Sequence, residues 1–351
     1  MFEQMVSGIG HWLKEKGPDA DIVYSSRIRL ARNLKGFPFS SRCSEQQLRD
    51  IVSLVRSCAN HCSRLKNTKY YGLKEISMLN RQFLMERFLI SRELARNAGE
   101  KGAIVDGSER ISIMLNEEDH LRMQVLCSGL LLSNAWEELN AIDDELDSHL
   151  DFAFELPWGY LTACPSNAGT GLRSSVMIHL PGLITTKRIV GILQSTGKMN
   201  LAIRGLHGEG TEMLGDYFQI SNQVTLGKAE DEIVDATEKL TKNLIEQERR
   251  ARDDLMKNEK IVIEDRIGRA VAILSSAKIL TSREAMDLLS SVRLGIYYGM
   301  IPGIKMDVLD SLLIRIQPAH LQKRFPNHLG PLDRDIERAK LVRETLNYAE
   351  G

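Results

Sequence analysis

The sequence predicts an α+β fold followed by a small all-helical domain. Two β-rich runs, 103–108 and 110–115, flank Asp106-Gly107 and indicate a hairpin. An amphipathic helix is indicated over 130–152, where apolar residues recur at helical spacing and the outer face is acidic. After about residue 255, strand signals become rare and helical patterns alternate with prolines. Strands mixed with helices, and then helices alone, give this fold class.

The chain has 351 residues, enough for one larger and one smaller domain. We predict a first domain over residues 1–255 and a helical C-terminal domain over residues 256–351. The helical patterns of the second domain lie at 260–280, 282–300, 304–316 and 332–349, with Pro302, Pro318, Pro326 and Pro331 between them.

Composition excludes several classes of protein. Charge is nearly balanced, with 46 Lys and Arg against 47 Asp and Glu, so we expect no nucleic-acid interface made by overall charge, and a local basic patch stays open. The five cysteines are irregularly spaced, which fits reduced thiols in a cytoplasmic protein better than a disulfide framework. Residues 1–17 lack the continuous apolar core of a signal peptide, and no apolar run is long enough to predict a membrane span.

The strand pattern at 21–33 carries two arginines on one side. With a period of two, Arg27 and Arg29 share one face, while Ile28 and Leu30 share the other. Side chains two residues apart lie about 6.5 to 7 Å from each other along a strand, so two guanidiniums can grip neighbouring phosphates. The alternative interpretation is an ordinary half-buried strand with a charged outer face.

Several other segments of the first domain are interpreted as scaffold. Ser44 with Gln47 predicts a helix N-cap with a capping box. The remaining expectations are a short helix over 1–17, a strand within 70–80, a charged segment over 81–97, a helix over 185–196, and strands over 201–206 and 217–226.

Three consecutive acids, Glu117, Glu118 and Asp119, precede a strand pattern. Their crowding is costly unless a cation lies beside them, and a guanidinium substrate or a neighbouring arginine would supply that charge. A solvated acidic turn is the alternative. His120 follows with no nucleophile or metal partner beside it in sequence, so we expect it to be structural.

The stretch 159–177 combines a thiol, a turn rich in backbone donors and an arginine. Cys164 precedes a proline, which favours an extended backbone, and Gly169 and Gly171 allow positive φ in the loop that follows. Arg173 closes the loop. These residues could hold an anionic group beside a reactive sulfur, whereas a buried cysteine before a tight turn is the alternative.

Four segments, in chain order, resemble those of the phosphagen (guanidino) kinases, which move the γ-phosphoryl of ATP to a guanidinium nitrogen. The run CPSNAGTGLR, from Cys164 to Arg173, is similar to their cysteine signature. The similar segments are 25–33, 116–122, 164–173 and 201–223. The resemblance implies a phosphagen-kinase-like catalytic domain with a mainly antiparallel sheet flanked by helices.

The resemblance also implies roles for individual residues. Glu118 and Glu209 would clamp the substrate guanidinium and accept its proton, and Cys164 would orient it as a thiolate. ATP, with Mg²⁺ carried by the nucleotide, would be bound by side chains and by backbone donors of 174–177. The implied ATP-binding residues are Ser25, Ser26, Arg27, Ile28, Arg29, Arg122, Arg173, Ser174, Ser175, Val176, Met177, Arg204, Gly205, Leu206, His207, Gly208 and Glu209.

Two further features bear on the nucleotide. Three glycines from 205 to 210 indicate a mobile loop that could close over a substrate and exclude water. Phe88 stands where close relatives in this family usually carry a histidine near the nucleotide. We expect this departure to alter nucleotide packing rather than the reaction, because an aromatic ring remains available for stacking.

The last predicted helix contains RDIERA, from Arg334 to Ala339. Arg334 and Arg338 are four residues apart and share a helix face, and a solvated, salt-bridged helix is the alternative interpretation. The run matches the signature of McsB-type protein-arginine kinases, where it forms an allosteric pocket for phosphoarginine. The resemblance therefore implies phosphoarginine binding by Arg334, Asp335, Arg338 and Ala339.

The resemblance as a whole implies a protein-arginine kinase. Relatives that act on free metabolites carry a helical domain before their first nucleotide arginine, and Arg27 lies too early in this sequence for one. Two alternatives remain open, a free L-arginine kinase and an inactive adaptor that binds phosphoarginine. The implied setting is stress response and protein quality control, with a zinc-finger activator and a Clp-type ATPase as partners. The apolar helical domain favours a homodimer.

Two apparent motifs are rejected. Cys58, His61 and Cys62 lie on a helical pattern without a second ligand pair downstream, so we expect no metal there. The run 191–198 superficially resembles a phosphate-binding P-loop, but its second glycine is one residue too far and Met199 replaces the required Ser or Thr.

Overall fold

The computed structural model describes residues 2–197, 201–205 and 214–347. The strands in these ranges are β1 (Val23–Arg32), β2 (Thr68–Gly72), β3 (Gly102–Asp106), β4 (Ile111–Leu115), β5 (Leu121–Ser128), β6 (Phe154–Glu155), β7 (Gly159–Tyr160), β8 (Leu172–His179), β9 (Leu201–Gly205) and β10 (Tyr217–Asn222). The α-helices of the first part are α1 (Phe2–Ser7), α2 (His11–Lys14), α3 (Glu45–His61), α4 (Met78–Glu86), α5 (Arg92–Arg96), α6 (Leu132–Asp147), α7 (Pro181–Thr185), α8 (Ile189–Gly197) and α9 (Glu230–Asn258). They are followed by α10 (Lys260–Ser276), α11 (Ser282–Tyr297), α12 (Met306–Arg315), α13 (Pro318–Gln322) and α14 (Pro331–Asn347).

Eight strands form one sheet in the order β2-β3-β4-β5-β1-β8-β10-β9. Every strand pairing in this sheet is antiparallel, and β3 and β4 form the predicted hairpin. The remaining two strands, β6 and β7, pair only with each other as a small separate hairpin. The predicted α+β class, with a mainly antiparallel sheet and a helical C-terminal region, is confirmed.

One face of the sheet carries the main apolar core. Ile28 and Leu30 of β1 are fully buried in the same cluster as Leu139 and Ile142 of α6. The predicted helix over 130–152 is therefore confirmed in position and in its inward face, although it spans only α6. The long helix α9 packs on β8 and β10 and extends this cover.

The opposite face has apolar clusters only at its margins. One cluster places Leu84 of α4 and Leu94 of α5 over Met114 of β4. The other joins Tyr24 of β1 and Tyr217 of β10 to the C-terminal helices. Half-buried polar side chains occupy the face between these two clusters.

Two arginines of the helical domain fix it to the sheet. Arg293 of α11 is almost fully buried, pairs with Asp310 of α12 and donates to the Ala20 carbonyl 2.7 Å away. Arg266 of α10 donates to Asp216, just before β10, over 2.9 Å. The bonds of Arg293 to the Ala20 carbonyl and of Arg266 to Asp216 therefore favour one docked arrangement of the domain.

Some local predictions are confirmed and others need correction. The capping box of Ser44 and Gln47 begins α3 as expected. The single helix expected over 1–17 is instead two short helices, α1 and α2, because glycines at 8 and 10 interrupt it. The strand expected within 70–80 ends at Gly72, and α4 begins after its N-cap Ser77.

Two further corrections concern helices. The helix expected over 185–196 is split into α7 and α8, and Lys187 between them has a φ of 59° that a helix cannot continue through. The helical domain contains a short fifth helix, α13, which was not predicted. In the described part of the chain, no helix has the length and apolar character needed to cross a bilayer.

Arg32 at the end of β1 depends on a single carboxylate. Its Nε and Nη2 atoms donate to Asp143 of α6 over 3.1 and 2.6 Å, and both side chains are buried. We predict that Asp143→Ala lowers the free energy of unfolding by about 3 to 5 kcal/mol, because a buried guanidinium loses its counter-charge. Urea denaturation measures the change.

The matched control for this prediction is Asp151→Ala. Asp151 lies 3.9 Å from Lys35, and both side chains are more than two-thirds exposed. Loss of such a surface pair should cost less than about 1 kcal/mol. Similar losses of stability in the two variants would contradict the importance given to the buried pair.

Candidate active site

The strand register places the predicted arginines on one face of the sheet. Arg29 of β1 lies directly opposite Arg173 of β8. On the other side, Ala31 lies opposite Arg122 of β5. Because side chains alternate along a strand, Arg27, Arg29, Arg122 and Arg173 all point away from the main core.

Arg204 joins this group from the edge of the sheet. It lies opposite Gln219 of β10, which lies opposite Met177 of β8. Met177 is four residues from Arg173 and therefore faces the same way. Five guanidiniums from four strands thus share one face, and we call them the arginine cluster: Arg27, Arg29, Arg122, Arg173 and Arg204.

The arginine cluster is electrostatically unfavourable by itself. Burial, and then the charges of Arg122 and Arg173, lower the pKa of Arg27 to about 10. Burial and three neighbouring guanidiniums hold the pKa of Arg29 well below its usual range. Among the described residues, the buried Nε atoms of Arg29 and Arg173 have no hydrogen-bond partner. A buried donor without a partner is costly, so the cluster is suited to an anion with several oxygens.

Glu117 is the residue of the acidic run that turns towards the cluster. Its side chain is 3% exposed and accepts from Nη1 of Arg122 at 2.9 and 3.0 Å, and from the Ser91 hydroxyl at 2.6 Å. In the described ranges, no other carboxylate forms an ion pair with the cluster. Its role was not predicted, because three adjacent acids look alike until the fold decides which one is buried.

Glu118 has the opposite placement and is exposed. Cys164 lies near enough to influence the pKa of Glu118. The Cys164 sulfur itself lies 3.0 Å from the hydroxyl oxygen of Ser166. Partial burial, and then the charges of Asp119 and Glu117, raise the pKa of Glu118, while Arg122 and Cys164 oppose the rise. A carboxylate with a raised pKa, exposed at the edge of a cationic cluster, is suited to accept a proton from a bound group.

A buried network holds the cysteine loop beside the acidic run. Asp119 accepts from the side-chain amide of Asn33 and from the N–H of Ala163, both over 2.7 Å. The Asn33 amide also donates to the Leu161 carbonyl, and its oxygen accepts the N–H of His120, both over 2.9 Å. The end of β1 therefore fixes the position of Cys164 relative to Glu118.

His120 is structural, as expected from the sequence. Its Nδ1 accepts the N–H of Leu34 over 3.0 Å, which leaves Nε2 to donate to the Pro38 carbonyl 2.8 Å away. Burial lowers the pKa of His120, which keeps the ring neutral. Both ring nitrogens are thus committed to the backbone.

Two glycines of the loop are required by close backbone approach. Gly159 has a φ of 74°, and a Cβ there would lie 2.6 Å from the Gly169 carbonyl oxygen. Gly169 has a φ of 98°, and a Cβ there would lie 2.7 Å from the Cα of Leu226. The loop closes on itself and on the segment after β10 because neither position has a side chain.

Four residues implied as ATP ligands have side chains on the core face. Ile28, Val176 and Ser174 are fully buried there, and the hydroxyl of Ser26 donates to the Gly129 carbonyl over 2.7 Å. The backbone of 174–177 is paired with β1 and β10, and the N–H of Ser174 donates to Asn222 over 2.9 Å. The Ser26 hydroxyl and this backbone therefore already have partners inside the sheet, whereas the buried Ser174 hydroxyl has none among the described residues.

The other implied ATP ligands differ in placement. Ser25, Ser175 and Met177 lie on the arginine face, and the Ser175 hydroxyl accepts from Nε of Arg27 over 3.4 Å. Gly205 ends β9 next to Arg204. Leu206, His207, Gly208 and Glu209 lie outside the described residues. Glu209 is the second carboxylate predicted for the guanidinium.

Phe88 is committed to packing. Its ring lies 6.4 Å from that of Trp12, nearly perpendicular to it, within the cluster shared with the helical domain. Its carbonyl accepts from Gln124, which lies opposite Arg29. Phe88 therefore borders the arginine cluster through its backbone, and its φ of 63° is unusual for a residue with a side chain.

The residues implied for phosphoarginine form one turn of α14 but differ in exposure. Arg338 is buried, with Nε donating to the Ile316 carbonyl over 2.9 Å and Nη1 donating to the Leu280 carbonyl and pairing with Asp335. Ala339 is fully buried. Arg334 is half-buried and donates to the Leu329 carbonyl over 2.8 Å. The structure holds Arg338 inside the domain, so Arg334 is the more accessible guanidinium.

Two family models match consecutive parts of the chain. The model of the ATP:guanido phosphotransferase C-terminal catalytic domain matches residues 50–251. The model of the protein-arginine kinase McsB C-terminal domain matches residues 260–351.

Similar proteins span almost the whole chain. The protein-arginine kinase of Moorella thermoacetica is 46% identical over 338 residues, covering 95% of this chain and 97% of that protein. The protein-arginine kinase of Bacillus cereus strain G9842 is 45% identical over 351 residues, covering 99% and 98%. Each similarity includes the sheet and the helical domain together.

Solved structures share the fold of the sheet. The crystal structure of lombricine kinase has a TM-score of 0.58 and 27% identity, covering 70% of each chain. The duplicated taurocyamine kinase from Schistosoma mansoni, with bound transition state analog components, has a TM-score of 0.59 and 28% identity, covering 67% of this chain and 35% of that one.

The unpaired charge of the arginine cluster leads to a prediction. Arg29→Met should leave the thermal midpoint of the free protein unchanged or higher, because it removes a cation that neighbouring cations repel. Inorganic pyrophosphate should raise the midpoint of the parent protein, and this rise should be largely lost in the variant. At about 100 times its Kd, a ligand stabilises by about 2.7 kcal/mol, a shift that thermal unfolding readily measures.

Arg32→Met is the matched control. Arg32 is an arginine of the same strand, but it is paired with Asp143 on the core side. Its loss should lower the midpoint and leave the pyrophosphate shift intact. A lower midpoint for Arg29→Met with a full pyrophosphate shift would contradict the role given to the cluster.

Proposed function

Because the chain belongs to the ATP:guanido phosphotransferase family, we propose that it transfers the γ-phosphoryl of ATP to arginine side chains of proteins. One observation carries the proposal most directly. A cluster of guanidiniums with unpaired buried donors lies on one sheet face, and the exposed Glu118 lies at its edge with the half-buried Cys164 nearby. Phosphate oxygens would accept hydrogen bonds from the unpaired donors, and a cationic acceptor would pair with the carboxylate of Glu118. The name and full-length similarity of the protein-arginine kinases support protein arginine as that acceptor.

The arginine cluster would hold the triphosphate of ATP. Phosphoryl transfer depends mainly on positioning and on neutralising charge, so several guanidiniums can do the work of a P-loop. Mg²⁺ would arrive with the nucleotide and neutralise further phosphate charge. Glu117 would keep Arg122 oriented between nucleotide and acceptor, since it holds that guanidinium by two short hydrogen bonds.

Glu118 would bind the acceptor guanidinium and act as its base. A guanidinium with a pKa above about 12 is a poor nucleophile, so its proton must leave as the nitrogen attacks. In the step, the N–P bond forms, the bond from the γ-phosphorus to the bridging oxygen breaks, Glu118 takes the proton and ADP leaves. Cys164 would orient the guanidinium without forming a covalent intermediate, and Glu209 remains the proposed second carboxylate.

The further assignments stay part of the proposal. Arg334, Asp335, Arg338 and Ala339 would bind phosphoarginine away from the catalytic face, in a helical domain divided from the catalytic domain at residue 255. A zinc-finger activator, a Clp-type ATPase and a second copy of the chain are proposed partners. The proposed setting is cytoplasmic stress response, in which phosphoarginine would mark proteins for degradation.

Incubation with MgATP separates the proposal from its two alternatives. Casein, an unstructured protein, and free L-arginine are offered in parallel, and products are identified by mass spectrometry that preserves P–N bonds. We expect acid-labile phosphate on casein arginines. Phosphorylation of free arginine alone would support a free arginine kinase. Binding of a phosphoarginine peptide without either product would support an inactive adaptor.

The base role of Glu118 gives a second prediction. Glu118→Gln should lower kcat on casein by about 10²- to 10⁴-fold, because the proton loses its acceptor. MgATP binding, measured by calorimetry, should be nearly unchanged. Glu93→Gln, an exposed carboxylate on α5, is the control and should keep full activity. Retention of kcat in Glu118→Gln would remove this residue from the mechanism.

The pKa of Glu118 gives a third prediction. A base must be ionised, so kcat should fall as pH drops through the pKa of Glu118, which burial and two neighbouring acids raise. Glu117→Gln removes one of those acids and releases Arg122, and both changes lower the pKa of Glu118. The acid limb of the pH–rate profile should therefore move to lower pH.

The control for the pH profile is Glu246→Gln, on an exposed part of α9. It should leave the acid limb in place. An acid limb that stays fixed in Glu117→Gln would show that another group titrates in the rate-limiting step.

A further inference from the structure

The hairpin that precedes the cysteine loop exposes an unusual run of apolar side chains. Residues 154–158 are all exposed. Among them, Phe154 is 54% exposed, Leu156 82% and Trp158 56%. Large apolar side chains are normally buried, so three of them on one small tip mark an interaction surface rather than scattered exposure.

The base of this hairpin is fixed by contacts with the rest of the protein, although the side chains of its tip are exposed. The Tyr160 ring lies 3.4 Å from the guanidinium carbon of buried Arg32. The N–H of Tyr160 donates to Gly169 and that of Leu161 to Ala153, both over 2.8 Å. A fixed base means that the tip presents its side chains without a large further loss of conformational freedom on binding.

The hairpin and the candidate site are parts of one continuous segment. Tyr160 precedes Cys164 by four residues, which span at most about 14 Å even when fully extended. Phe154 packs on Tyr160 with ring centroids 5.2 Å apart. The apolar tip therefore lies within the reach of a polypeptide whose arginine occupies the site at Glu118 and Cys164.

The charge around the tip selects the same kind of occupant. Glu155 in the tip and Asp151 before it are exposed acids. Acidic groups next to an apolar tip suit a segment that carries a positive arginine as well as apolar side chains.

We infer that the tip Phe154, Leu156 and Trp158 is a docking site for the protein substrate, binding apolar side chains that lie a few residues from the target arginine. An extended peptide advances about 3.3 Å per residue, so side chains four to six residues away would reach the tip. Such side chains are exposed together with an arginine mainly in unfolded segments. This inference rests on the proposed function, because it deepens how protein substrates are chosen.

Paired peptides on the parent protein provide the first test. One peptide carries Leu and Phe four to six residues on both sides of a single arginine, and the other carries Ser at those positions. We expect kcat/KM to be about tenfold higher for the apolar peptide. Equal values would overturn the inference while leaving the proposed function intact. If neither peptide nor casein became phosphorylated, that result would instead contradict the proposed function.

Variants then locate the preference. Leu156→Ser with Trp158→Ser should reduce the ratio of the two kcat/KM values to about one, mainly through KM. The rate on acetyl-Gly-Arg-Gly-amide, which has no apolar neighbours, should be unchanged. The control is Ile261→Ser with Val262→Ser, a neighbouring pair of exposed apolar residues at the start of α10. A tip variant that keeps the preference would overturn the inference.

A second measurement needs no variant. A peptide with benzoylphenylalanine five residues from its arginine is irradiated with the parent protein, and the cross-linked residues are identified by mass spectrometry. We expect cross-links within 154–158 that excess apolar peptide prevents. Cross-links confined to other surfaces would contradict the docking site.

Discussion

The arrangement of the whole molecule depends on holding like charges together on the central strands of one sheet. Arg27 and Arg29 lie on β1, a central strand with several strands on each side of it. Arg173 of β8 lies directly opposite Arg29. Glu117 is the only carboxylate in the described ranges that pairs with the cluster. Such a concentration of positive charge persists only because the surrounding core is stable enough to enforce it. The same concentration prepares the site for phosphate before any ligand arrives, since little reorganisation is then required.

The neighbouring elements can be understood as supports for that face. The main core lies on the other side of the sheet, so its apolar side chains do not compete for the space of the cluster. The helical domain covers one end of the face through Tyr24 and Tyr217. Arg293, which donates to the Ala20 carbonyl, and Arg266, which pairs with Asp216, hold it there. A change in how this domain docks would therefore alter the packing of Phe88, whose ring lies in the same cluster and whose carbonyl accepts from Gln124.

The acceptor side of the site is built differently from the nucleotide side. Strands fix the arginines, whereas Glu118 and Cys164 lie on loops that Asp119 and Asn33 hold together. Loops anchored at both ends can present reactive side chains to solvent without leaving backbone groups unsatisfied. The apolar hairpin extends from the same loop, so recognition of a polypeptide and of its guanidinium can be served by one segment.

The sequence by itself determined the fold class, the hairpin of β3 and β4, and the common face of Arg27 and Arg29, because these follow from local periodicity and turn chemistry. Recognition of the family motifs added Arg122, Arg173, Arg204, Glu118 and Cys164 as candidates. Only the tertiary structure decided that Glu117 is buried against Arg122 while Glu118 is exposed, that the amides of 174–177 are used within the sheet, and that Arg338 is enclosed. Those outcomes depend on strand register and on which neighbour removes a side chain from water, and both are set by contacts between residues far apart in the chain.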